Sequence, residues 1–262
     1  MTLSRNQIVT IGFFLLVLAV LASFRTKPKE LLERERNRSM NLLSTNVNIL
    51  IQEAAPLLSS NSKTKIQLLE AELAEEGISA EDKAELNRRL SSTWYEAGQI
   101  GIAGHFSEEV AKITEDASSW GISGTTYGLC IKRTEKEKER EYCLTKSLEA
   151  LENAISLDPE NLDFQINRAV ILAENPPKDN PMRGVLLLLD MNKKFPKNVP
   201  VINNIAKFAL QTNQLERAEQ RLLGALSIEP DNVMTNCLLA QLYSMKGDES
   251  RSLTYEQKCA TK

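Results

Sequence analysis

One ending recurs along this chain and limits what it can fold into. Pro159, Pro196 and Pro230 each stand two residues before an asparagine, namely Asn161, Asn198 and Asn232, and the prolines are 37 and 34 residues apart. Proline lacks the amide N–H that a helix needs and clashes with the preceding turn, so each one marks a helix end. A period near 34 residues holds two helices and their turns, a unit that buries its apolar face only by stacking on its neighbours. Val199 to Asn232 shows the unit best. Ile202, Ile205, Ala206 and Ala209 recur at three- and four-residue spacing and share one helical face. After a break near Thr212-Asn213-Gln214, Leu215, Ala218, Leu222, Ala225 and Ile228 do the same. The small residues Ala218 and Ala225 stand where two helices must approach closely.

With helix–turn–helix content and a closing proline, the stretch resembles a tetratricopeptide (TPR) repeat. The expected fold class is all-α: a solenoid of TPR-type helical hairpins, with an N-terminal transmembrane helix. Residues 118–262 hold the TPR repeats. In the first, Trp120, Gly124 and Tyr127 have the spacing of the bulky, small and aromatic residues of a TPR first helix, and Leu151, Ala154 and Pro159 belong to the second. Between them IKRTEKEKEREY, dense in charge of both signs, reads as a solvated helical extension. The next repeat, Leu162 to Asn198, carries Ala169, Gly184, Leu188 and Pro196, and ENPPKDNP lengthens its inner connection. The last unit, Val233 to Ala260, has Ala240, Tyr243, Gly247 and Asp248, then fades: Ser252 and Cys259 stand where Ala218 and Ala225 stood. A terminal unit is expected to turn a more polar face outward.

Upstream, residues 1–7 are a short tail, and residues 8–24, IVTIGFFLLVLAVLASF, are uncharged and almost wholly apolar. As a helix those residues span about 25 Å, the short end of what a bilayer requires. They read as a transmembrane anchor, with a cleaved signal peptide and a buried core helix as alternatives. Six basic residues between Arg25 and Arg38 follow the span, against Arg5 before it, which by the positive-inside rule puts the following domain in the cytoplasm. Residues 25–63 read as a juxtamembrane helical segment ending in a linker, Leu57 to Lys63, and residues 64–117 as a helical region with a degenerate repeat. In that region Ser79 with Asp82 signals a helix start at Ala80. WYEAGQIGIAGHFSEEVAKI suggests a hairpin without the closing proline.

Composition excludes more than it proposes. The net charge is −3 and no face is dominantly basic, so no nucleic-acid partner is expected. Cys130, Cys143, Cys237 and Cys259 have no metal-type spacing, and His105 is the single histidine. With no phosphate loop, nucleophile elbow or zinc-protease motif, the expectation is a protein without cofactor, metal or catalytic residues.

WYEAGQIGIAGHF, SSWGISGTTYG and NPMRGVLLLLD, together with the N-terminal span, are similar to a group of small bacterial single-span, membrane-anchored TPR proteins. That resemblance implies the inner membrane, with the repeats on the periplasmic side against the charge rule. It also implies a scaffold or adaptor role in membrane-complex assembly or protein export, or else an envelope chaperone for many unfolded clients. TPR arrays bind protein partners in a concave groove lined by first helices. The register above places Asn167, Asn203, Asn204, Lys207, Gln211 and Gln241 near that face, an amide-rich surface for a partner's extended backbone.

Overall fold

The computed structural model describes residues 45–260, and the segment 8–24 with its basic flank lies outside them. Twelve α-helices are described: α1 (Val47–Ala54), α2 (Ser60–Leu73), α3 (Ala80–Glu96), α4 (Ile100–Thr114), α5 (Ala117–Arg133), α6 (Glu137–Leu157), α7 (Leu162–Glu174), α8 (Arg183–Lys194), α9 (Val199–Gln211), α10 (Leu215–Ile228), α11 (Val233–Met245) and α12 (Glu249–Ala260). None of them is long and apolar enough to cross a membrane. Residues from Val47 onward form one compact unit in which consecutive helices pack as hairpins, α3 with α4 through α11 with α12. The first helices of successive hairpins also pack on each other, α5 on α7, α7 on α9 and α9 on α11.

The recurring asparagines have a specific task. Asn161 accepts from the Asp163 N–H, Asn198 from Val201 and Asn232 from Thr235, so each is the N-cap of the next hairpin's first helix. Proline stops one helix and asparagine starts the next. Ser79 caps α3 as its sequence predicts, accepting from the Asp82 N–H at 3.0 Å.

Three hairpins share one turn. Gly98, Asn213 and Gly247 take φ of 78°, 56° and 76°, the left-handed region. The residue after each donates five residues back: Gln99 to Trp94, Gln214 to Ala209 and Asp248 to Tyr243, at 2.9, 2.8 and 2.9 Å. This closes the helix end in a Schellman-type motif. The hairpin α3–α4, expected only as a degenerate repeat, is therefore built like the best one. Its missing proline is replaced by Glu115 at φ 53°, which ends α4, and by Asp116, which caps α5 through the Ser119 N–H.

Close packing explains the small residues. A Cβ on Gly104 would stand 2.6 Å from the Tyr127 ring, and one on Gly184 would stand 2.2 Å from the Ala173 backbone nitrogen, so α7 and α8 touch backbone to backbone. Ala218, Leu222 and Ala225 are fully buried, as their spacing predicts. Ile228, the last residue of α10, is not: it is 38% exposed.

Two further expectations need correction. The linker Leu57–Lys63 is largely helical. Ser59 accepts from the Ser62 N–H at 3.1 Å and starts α2 at Ser60, so the boundary placed at residue 63 falls inside a helix. The stretch IKRTEKEKEREY is not a wholly solvated extension either. Its turn is only Thr134–Lys136; Ile131 is buried and Tyr142 packs on the cluster around Tyr127 and Ile131. Thr134, Glu139 and Tyr142 are half-buried and the remaining charged residues of the stretch are exposed.

Candidate functional site

The six residues expected to face a partner do not form one surface. Asn203 is 4% exposed; its Nδ2 donates to Asn232 Oδ1 at 3.2 Å, and Thr235 Oγ1 lies 3.0 Å from its Oδ1. It is a contact between repeats, not a partner-facing amide. Asn204, half-buried, turns its amide back to the Pro200 carbonyl at 2.9 Å. Lys207 is engaged with Glu174 at 2.7 Å, and Lys132 meets the same carboxylate at 3.3 Å. Three first helices, α5, α7 and α9, are thus tied by one lysine–glutamate–lysine row. Burial pushes the Glu174 carboxyl up, but the hydrogen bond and charge of Lys207, with Lys132 behind them, hold it below the usual range. Asn167 is half-buried on α7, and Gln211 and Gln241 are exposed on α9 and α11.

A concavity lies between the degenerate hairpin and the first repeat, away from the six expected residues. A groove of about 340 Å³ runs between the first helices α3 and α5, over α4. Arg88, Ser91, Ser92 and Tyr95 line it from α3, Ser107 and Val110 from the floor, and Ser119, Ile122 and Thr126 from α5. Its serines and threonine are hydrogen-bonded within the chain. Ser91 donates to the Ala103 carbonyl at 2.9 Å and lies 2.8 Å from Ser107 Oγ; Ser119 donates to Asp116 and Thr126 to the Ile122 carbonyl. The apolar lining is not covered: Tyr95 is 46% and Ile122 57% exposed, above a buried Val110. Arg88 is the lone formal charge on the lining and pairs with Glu85 at 3.2 Å. Sequence reasoning missed the groove because serine, threonine and a single exposed isoleucine carry no periodic signal.

A polar cluster centred on the buried Glu108 links the same hairpins. Glu108 on α4 accepts from Tyr127 Oη at 2.9 Å and pairs with Lys112 at 2.9 Å and Lys146 at 3.3 Å, joining α4, α5 and α6. Burial lowers the affinity of His105 for a proton, and its ring packs edge-on to Phe106. No three His, Cys, Asp or Glu side chains gather as a metal site among the described residues.

No protein-family profile matches the chain, and no curated protein does. Solved structures with related outlines include residues 41 to the end of MamA from Desulfovibrio magneticus RS-1, 14% identical with TM-score 0.44 over 68% of this chain and 93% of that one. PilW, a type IV pilus biogenesis factor, is 16% identical with TM-score 0.46 over 67% and 76%. YrrB, a TPR protein with a peptide-binding site, is 12% identical with TM-score 0.37 over 67% and 84%. At such values the fold rests on the chain's own hairpins, their shared turns and their repeating asparagine caps. Those features make this an all-helical array consistent with the tetratricopeptide family.

Proposed function

We propose that the chain is a non-catalytic scaffold that holds an extended segment of a protein partner in the groove between α3 and α5, tethered to a bacterial inner membrane by residues 8–24. The observation that carries the reading is the exposed pair Tyr95 and Ile122 over the buried Val110. Covering them with a partner's apolar side chains gains roughly 25 cal/mol per Å² of apolar surface. The serine and threonine hydroxyls of the lining are already hydrogen-bonded, so they lose little when water leaves. The tether raises the partner's local concentration. Asn167, Asn204, Gln211 and Gln241 would extend the contact along the later first helices. The disulfides Cys130–Cys143 and Cys237–Cys259 favour the periplasmic side over the cytoplasmic one, because such bonds persist in oxidising compartments.

The groove's small volume and hydroxyl-rich walls suit one defined segment. The second reading, an envelope chaperone, requires many clients. Both are tested by placing a photoreactive residue at position 95, 122, 211 or 241 of the full-length protein in its native membrane, with position 223 on α10 as control. One discrete adduct from 95 and 122, absent from 223, supports the scaffold. A broad set of adducts supports the chaperone. Adducts from 211 or 241 alone would move the site to the later repeats, and none from any position would overturn both readings. Extraction with alkaline carbonate tests the tether separately.

A further inference from the structure

We infer that the Cys237–Cys259 bond is an exchangeable redox site that governs whether the last helix stays docked, and that it is a substrate for a protein dithiol of the thiol–disulfide oxidoreductase class. The two cystines are placed differently. Cys130 and Cys143 are 1% and 0% exposed, so no thiol reaches them while α5 and α6 are folded. Cys237 and Cys259 are half-buried, linking α11 to α12. Exchange needs a thiolate to reach one sulfur, so access separates the pairs before any difference in chemistry does.

The helix that the accessible bond holds buries few of its own side chains. Of the residues of α12 only Ser252 is buried, donating to the Ala240 carbonyl at 3.0 Å. Leu253, the helix's one leucine, is 59% exposed. Its other contacts include the Tyr255 ring stacked on Tyr243 at 5.6 Å and Arg251 shared between Asp248, Glu219 and the Tyr243 ring. A helix of twelve residues is marginal without packing, so the cross-link spanning 22 residues supplies much of its docking. Undocked, it uncovers the face of α11 that carries Ala240 and Tyr243.

The exchange balances. A thiolate of the dithiol attacks one sulfur of the pair and displaces the other as thiolate. The donor's second thiol then attacks the mixed disulfide and frees the first cysteine. The chain gains two electrons and, on protonation, two protons, and the donor leaves as its own disulfide. The oxidised donor runs the sequence backwards and docks the helix. This site is independent of what the groove between α3 and α5 binds.

The test uses full-length protein in detergent without denaturant, with dithiothreitol as probe, followed by alkylation and peptide mapping. Two labels are expected, on Cys237 and Cys259, with Cys130 and Cys143 still linked until denaturant is added. Amide hydrogen exchange over residues 249–260 should accelerate by roughly a hundredfold, while that over α5 and α6 stays unchanged. Cys237→Ser with Cys259→Ser should show the same fast exchange without reductant. Labels on all four cysteines, no label before denaturation, or wild-type protection of 249–260 in either the reduced protein or the double variant would overturn the inference.

Discussion

Asn203 Nδ2 donates to Asn232 Oδ1 at 3.2 Å, and the accepting oxygen is the one that caps α11 by taking the Thr235 N–H at 3.0 Å. One repeat therefore holds the start of the next through a side chain that is itself a helix cap. Asn232 Nδ2 is fixed in turn by Glu229 at 2.7 Å, so the amide has one orientation.

Asn232→Ala removes both the cap and the acceptor for a buried amide. A loss of about 2 kcal/mol is expected, of which the cap alone supplies about 1. For a domain of this size that lowers Tm by roughly 4–8 °C. Asn203→Ala should cost less, and a double-mutant cycle by thermal melting should give a coupling of at least about 0.5 kcal/mol. Additive losses would show that the two asparagines act separately.

Two glycines should respond with opposite signs. An alanine Cβ at Gly184 meets the backbone of Ala173 at 2.2 Å and cannot be relieved by a rotamer, so Gly184→Ala is expected to destabilise by about 1–3 kcal/mol. Gly224 sits inside α10 with nothing within 4 Å of its Cβ position, and Gly224→Ala should stabilise by about 0.5–1 kcal/mol. Denaturant melts of the pair check both.

Stability should fall in acid through Glu108. Burial raises its proton affinity, but the hydrogen bond from Lys112 and the charge of Lys146 outweigh that and hold the carboxyl below its ordinary value. A group depressed on folding contributes stability above its unfolded pKa and loses it as pH falls through the folded one. The expected loss begins near the ordinary carboxylate range and continues below it. In Glu108→Gln this part of the acid dependence should be absent, leaving a flatter Tm-versus-pH curve over the same interval.

Reversing Lys207 should be felt in the fold. Lys207→Glu sets a second carboxylate beside Glu174 and leaves only Lys132 to balance it. A loss of about 1 kcal/mol, shrinking as salt is raised, is the expected result. Melts at low and high ionic strength measure it. An unchanged, salt-independent Tm would show that the row contributes nothing.

The chain's own order of residues determined the helices, their ends and their unit. The period from Pro159 to Pro230 marks hairpins, and the spacing of Ala218, Leu222 and Ala225 marks a buried face, because both are local consequences of a 3.6-residue turn. The Ser79 cap before its acidic turn was legible in the same way, whereas the asparagine after each closing proline showed as a repeat and took its capping role only from the structure. Tertiary structure decided which of a helix's remaining sides meets the next repeat and which stays open. Asn203 and Gln241 are alike as polar residues off the apolar stripe, yet one is 4% exposed and the other open to solvent. A helix in a stacked array packs against its own partner and against two neighbours, and only the first contact leaves a strong hydrophobic period. The cysteine pairs were hidden for a related reason. Cys130 and Cys143 come within 6.1 Å, and Cys237 and Cys259 within 4.8 Å, measured between Cα atoms, only when each hairpin folds back on itself. The groove around Tyr95 and Ile122 likewise exists only between first helices of different hairpins, where no spacing within either helix can encode it.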